Sequence, residues 1–236
     1  MQSRRYNDPP PKEFHLLDVL ALSFSVFEYL DNNYLRNDVY EDFKIAKFSN
    51  YNIIRMNLGL YNNWLKNTGH QGIIVEVNDA HRKIAQDAIS HFSGLMFKFL
   101  KNEGSSYERK VYELVNAENV LEWDLNIMAS IPNVYFAQIA MEQAQIQATQ
   151  SGMPPLGNVG DRITFTGKII IKKYAETYAS WSYTLTNDFH IVSFFTNNPD
   201  LGGIGEYVMV KGNIKRIGYN SFHDCDVTQL NYVKKQ

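Results

Sequence analysis

The sequence predicts an α+β protein: an all-helical N-terminal region followed by a C-terminal five-stranded β-barrel. Three observations carry this expectation. Apolar residues recur at helical spacing through residues 14–150. Ser151, Gly152, Met153, Pro154, Pro155, Leu156 and Gly157 then interrupt the pattern, and the periodicity beyond them alternates. Finally, Ile163, Phe165, Gly167 and Ile169 are spaced like Val208, Val210, Gly212 and Ile214, each set reading apolar-x-apolar-x-Gly-x-apolar. An interior glycine lets a strand coil tightly enough to close a small barrel. Matched glycines suit the first and fourth strands of an oligonucleotide/oligosaccharide-binding (OB) barrel. A plain meander could use the same glycines, and five strands in this length also fit an SH3-like barrel; the OB type is the favoured reading.

Taken in order, residues 1–13 read as a flexible tail ending in a proline run. From Phe14 to Tyr34, Leu16, Leu20, Phe24, Phe27 and Leu30 lie at intervals of three or four, with Asp31, Asn32 and Asn33 as the stop. Residues 39–66 read as one or two helices with Ile53, Met56, Leu60 and Trp64 on one face, and 72–77 as a short strand or extended segment. Asn78 and Asp79 supply the cap of a helix over Ala80–Leu100, with Ile84, Ala88, Phe92, Leu95 and Phe99 inward. Ser105 and Glu108 form a capping box that opens a helix to Val115. A shorter helix is expected from Ala117 to Ser130, ending before Pro132, and a last one over Asn133–Gln150. Residues 14–150 thus form the helical domain, 151–159 a linker and 160–236 the barrel.

Within the barrel, Tyr178–Thr186 places Trp181, Tyr183 and Leu185 on one face, and Phe189–Thr196 sets Ile191, Ser193 and Phe195 opposite His190, Val192 and Phe194. Residues 197–205 and 218–220 read as loops, and Val227–Val233 as the fifth strand.

The motifs GDRITFTGKI, WSYTLTND, FFTNNP and GEYVMVKGNIKR, in this order, resemble a C-terminal module of bacteriophage DNA-metabolism proteins. The preceding helices are similar too, from Asp87, Ala88 and Ile89 to Leu100, and over Ser106, Tyr107, Glu108, Arg109, Lys110 and Val111. The resemblance covers residues 85–236 and implies single-strand binding by the barrel. It also implies replication or other phage proteins as partners, and the cytoplasm of an infected bacterial host as the location. The chain departs from that family's pattern in having Phe194 where a Trp is frequent, and in lacking a cysteine-rich zinc segment.

Composition narrows the chemistry. Hydrophobic content of 44% and charged content of 20% are those of a globular chain. Cys225 is the only cysteine, which excludes an internal disulfide and a zinc ribbon and points to a reducing compartment. No apolar run is long enough to span a membrane, and the N-terminal arginines precede no apolar segment of a secretory signal. Residues 1–150 carry 14 Lys and Arg against 18 Asp and Glu, whereas 151–236 carry 9 against 7. Duplex-DNA binders are usually more basic, but a single-strand binder also relies on stacking.

No nucleotide-binding, hydrolase or zinc-protease motif is present, so no enzyme, cofactor or metal is expected. Gly202, Gly203 and Gly205 have the glycines of a phosphate turn, but they precede a strand instead of a helix. His223, Asp224, Cys225 and Asp226 have metal-binding side chains, but alternation between strand faces sets adjacent ones apart and disfavours a shared ion. Cations and aromatics gather instead in the two loops that flank an OB ligand face, expected over residues 172–178 and 216–223. The expected nucleic-acid contacts are Lys172, Lys173, Tyr174, Tyr178, Trp181, Tyr183, Phe195, Arg216, Tyr219 and Phe222. Trp181 and Tyr183 fit either the interior or the binding face, and Lys168, Lys211 and Lys215 read as solvated charges.

The function expected is therefore a non-enzymatic single-stranded DNA-binding or replication-accessory protein, with RNA as the alternative nucleic acid. The helical half would provide oligomerisation or partner contacts. The rival expectation is an interaction protein whose barrel docks another protein.

Overall fold

A computed structural model describes residues 11–41, 44–69, 71–96, 99, 104–151, 155–175, 178–187, 189–220 and 225–236. The chain divides into two compact units, Met1–Tyr135 and Phe136–Gln236.

The first unit is built around helix α1 (Leu16–Tyr29), which buries every residue from Val19 to Phe27. A helix apolar on all sides belongs at the centre of a core. Its two buried serines are both satisfied: Ser23 Oγ donates to the Val19 carbonyl one turn back, and Ser25 Oγ to the carbonyl of the distant Glu76. The helix ends where Asp31 and Asn32 take left-handed backbone angles, φ 55° and 58°, as their side chains permit. Around α1 pack α2 (Asn50–Asn57), α3 (Asn62–Thr68), α4 (Asp79–Ser93) and α5 (Ser106–Val115). Val19, Leu20, Ile53, Ile54, Ala88, Phe92, Val111, Leu125 and Met128 form the shared core. The expected capping box at Ser105 and Glu108 is present. A second one joins Asn78 to His81, whose Nε2 lies 2.6 Å from Glu28 of α1.

This unit also contains two short antiparallel pairs. Strands β1 (Glu13–His15) and β4 (Asn119–Leu121) pair with Phe14 opposite Val120. The expected tail is therefore tied down at its end: the Lys12 carbonyl accepts from the Glu122 amide. Strands β2 (Val39–Glu41) and β3 (Lys44–Lys47) replace the start of the helix expected over 39–66. The extended segment 73–77 pairs with no strand among the described residues. Asn57 serves its backbone instead, donating to the Ile73 carbonyl and accepting from the Val75 amide.

The helix expected over Ala117–Ser130 is replaced by β4, a 3-10 turn over Glu122–Asp124 and the start of α6 (Leu125–Ser151). This long helix runs through Pro132 without a break. Proline removes one backbone hydrogen bond, but Leu125, Met128, Ala129 and Ile131 around it are fully buried. Burial outweighs the local preference.

In the second unit β5 (Arg162–Ala175), β6 (Ser180–Thr186), β7 (Ile191–Thr196), β8 (Tyr207–Asn220) and β9 (Cys225–Lys235) close a barrel in the order β5-β6-β7-β9-β8. All neighbours are antiparallel except β7 and β9. This is the OB-type arrangement, with the first strand paired to both the second and the fourth. Strand β5 changes partner at Lys168, which lies opposite Tyr207 of β8 and Thr186 of β6. There Gly167 passes so close to β6 that a Cβ would stand 2.8 Å from the Thr186 carbonyl oxygen. Gly212 is the counterpart on β8, where a Cβ would stand 3.0 Å from the Asn231 carbonyl oxygen.

Phe165, Ile169, Tyr183, Leu185, Val192, Phe194, Val208, Val210, Ile214 and Leu230 fill the interior, and Leu201 from the loop after β7 joins them. Ile191 points the other way, yet it is buried with Met141 and Ala144 of α6, Ile170 and Val227. The second half of α6 thus packs on the barrel, and the compact unit begins well before the change of periodicity at residue 152. Both sides of β7 are apolar for this reason.

Two measurements check these contacts. Gly167→Ala should cost about 1–3 kcal/mol through overpacking at the strand corner, lowering the urea midpoint. In the first unit, burial pushes the Tyr107 phenol up to about 12, against the lowering effect of its Ser130 hydrogen bond. The folded state therefore favours the neutral phenol, so this stabilisation is complete below the ordinary value of 10.0 and is lost as pH rises through about 12. Tyr107→Phe should show a smaller loss of stability than the wild type over that window.

Candidate nucleic-acid interface

The barrel sorts the expected contacts into three groups. The segment 172–175, expected as a loop, is instead the end of β5, held by pairing of Lys172, Lys173, Tyr174 and Ala175 with β6. Pairing across β5, β6 and β7 produces successive rows: Lys172, Tyr183, Phe194; Lys173, Ser182, Phe195; Tyr174, Trp181, Thr196.

The first row belongs to the interior. Tyr183 is fully buried, stacks on Phe194 at 5.7 Å and 14°, and donates its hydroxyl to the Pro199 carbonyl at 2.7 Å. Burial raises its phenol above the usual value, opposed by a backbone hydrogen bond from Leu201 and reinforced by Asp200. Tyr183 is therefore a core residue and not a ligand contact. Lys172 is committed as well. Its ammonium donates to the Gly202 carbonyl at 3.1 Å and lies 5.4 Å from the Trp181 ring and 5.8 Å from that of Tyr183. Both residues hold the 197–206 loop across the barrel end.

The second row points outward and forms the candidate site. Phe195 is 42% exposed and Tyr178 is 70% exposed, and their ring centroids are 5.3 Å apart at 59°. Tyr178 is delivered by the turn between β5 and β6, where Ala179 takes a left-handed φ of 45°. Lys173, in the same row as Phe195, is exposed and makes no ion pair among the described residues. In the third row Tyr174 and Trp181 form a second ring pair, 5.4 Å apart at 63°, with Tyr174 exposed and Trp181 partly buried against the core. This third row faces the same side as Lys172, so the outward surface is the Tyr178–Phe195 pair with Lys173, which offers flat apolar rings and one charge to a base-and-phosphate chain.

Arg216 and Tyr219 sit elsewhere. The expected loop at 218–220 is the end of β8, paired through Tyr219 with Asp226 and through Arg216 with Gln229 of β9. The two touch each other, Arg216 Nη2 donating to the Tyr219 carbonyl at 3.3 Å. Phe222 lies outside the described residues, as do His223 and Asp224 of the acidic cluster. The glycine turn binds its own side chain: the Gly203 amide donates to the Glu206 carboxylate at 3.0 Å.

Further exposed apolar residues lie on β8, the other neighbour of β5. Tyr207 and Met209 are 70% and 47% exposed on β8, and the strict alternation of their strand is the signal that could have marked them.

Among the described residues, no group of three or more His, Cys, Asp or Glu is placed to hold a metal, and no helix is long and apolar enough to cross a membrane. Comparison of the chain with protein-family models, curated proteins and solved structures finds no match. The likeness to phage proteins rests on the quoted motifs alone.

The division of labour predicts opposite responses to mutation. Tyr183→Phe should cost about 0.5–1.5 kcal/mol of stability by losing a hydrogen bond inside the barrel. Tyr178→Ala should change stability by less than about 0.5 kcal/mol, as expected of an exposed ring. Urea unfolding of the two variants checks the assignment, and a reversed order would contradict it.

Proposed function

We propose that the protein binds single-stranded DNA on the rim of its OB-type barrel and has no catalytic activity of its own. The observation that carries this reading is the exposed Tyr178–Phe195 ring pair in line with Lys173. Exposed rings in contact across neighbouring segments give bases a stacking surface at little ordering cost, and the lysine meets the backbone between them. A role beside replication proteins, in the cytoplasm of a phage-infected bacterium, goes with this reading through the motif resemblance.

Fluorescence anisotropy with labelled oligo-dT, the same length of RNA and a duplex, at two salt levels, tests it. Micromolar or tighter binding to the single strand is expected, weakening with salt. Replacing Tyr178 and Phe195 by Ala should remove about 1–3 kcal/mol for each base unstacked. Absence of binding at low ionic strength would end this reading, and would leave protein docking as the barrel's task.

A further inference from the structure

The outer face formed by β5, β8 and β9 is not used by the rim site, and its chemistry is unusually one-sided. Along β5 the interior takes Ile163, Phe165, Gly167 and Ile169, so Arg162, Thr164, Thr166 and Lys168 point outward, all exposed. On β8 the interior takes Val208, Val210 and Ile214, so Tyr207, Met209 and Lys211 point outward beside them. The pairing sets Lys168 opposite Tyr207, Thr166 opposite Met209 and Thr164 opposite Lys211, and Lys211 in turn opposite Lys234 of β9.

Four cations thus share a face that has no acid in residues 162–168, 207–213 or 231–235. None of the four makes an ion pair or a side-chain hydrogen bond among the described residues. Lys211 and Lys234 are directly opposed like charges, an arrangement that destabilises a strand pair unless an anion lies over it. Tyr207 and Met209 provide apolar surface in the same rows, and Tyr232 of β9, two residues before Lys234, is 79% exposed with a left-handed φ of 53°. Free cations interleaved with exposed rings fit a phosphate backbone with unpaired bases better than they fit a duplex, whose bases are already stacked.

We propose that this face is a second track for the same single strand, occupied only when the strand is long enough to leave the rim. The proposal rests on the rim reading. Strand β5 serves both faces, but between Lys168 and Lys173 its outward Ile170 is covered by Met141 and Ala144 of α6. The helix therefore separates the two contacts, and length dependence follows.

The test uses the full chain and labelled oligo-dT of roughly 8 and roughly 30 nucleotides, the shorter within the site size of one OB barrel. Lys211→Gln combined with Lys234→Gln should weaken binding of the long strand about 25-fold near 0.1 M salt and flatten its salt slope by about 1.4, the counterion effect of two contacts. The short strand should bind this variant as it binds the wild type. Tyr178→Ala with Phe195→Ala should weaken both lengths. The lysine variant should melt no lower than the wild type, since it relieves a repulsion.

Unchanged long-strand binding in the lysine variant overturns the second track while the rim reading stands, and capture of an acidic protein by the wild type alone would then assign the face to that protein. Equal loss with both lengths also overturns it, because the lysines would then belong to the first contact. Failure of the wild type to bind either strand overturns both readings together.

Discussion

The corner at Lys168 is the constraint on which the barrel and both of its outer faces depend. One strand must serve two neighbours, β8 before the corner and β6 after it. This works only if the backbones approach more closely than a side chain allows, and Gly167 supplies that space against the Thr186 carbonyl. The irregularity in pairing between Ile169 and Ile171 completes the bend. Such a bend re-aims side chains as well as closing the sheet. It places Ile169 in the interior and Ile170 against α6, although the two are adjacent in sequence.

Sorting of the aromatic residues follows from that geometry. Tyr183 and Phe194 meet inside, where a hydroxyl needs a partner and finds the Pro199 carbonyl. Tyr178 and Phe195 meet outside, where no core demands them. Along the outer side of β7, Ile191 and Ser193 are buried but Phe195 is exposed. The helix therefore limits the open platform to one end of the strands. Lys172 and Lys173 divide in the same way, one tied to Gly202 and the rings beneath it, the other left in solvent. Neighbouring lysines take different tasks because adjacent strand residues face opposite sides.

The barrel was legible because its evidence is local and periodic. The spaced glycines, the alternation around them and the change from helical period each appear within a few residues. The caps at Asn78 and Ser105 were legible for the same reason. What could not be read depends on distant partners. The β1–β4 pair joins residues far apart in sequence, so Val120 looked helical. Pro132 signalled an end that burial on both sides overruled. Strands β5 and β8 run further than their apolar pattern, so Lys172, Lys173, Tyr174, Arg216 and Tyr219 became strand residues. In sequence Tyr183 fits core and platform equally, and its full burial, its stacking on Phe194 and its hydrogen bond to Pro199 assign it to the core. Taken singly, Lys211 reads as a solvated charge, whereas its opposition to Lys234 is a property of the pairing.

Binding at the rim is the central claim, and amide NMR of the labelled chain titrated with oligo-dT addresses it residue by residue. The account predicts that the first shifts gather at Lys173, Tyr178, Ser182 and Phe195, with the interior residues Tyr183 and Phe194 much less affected. Shifts confined to the first unit, or none at saturating oligonucleotide, would contradict it.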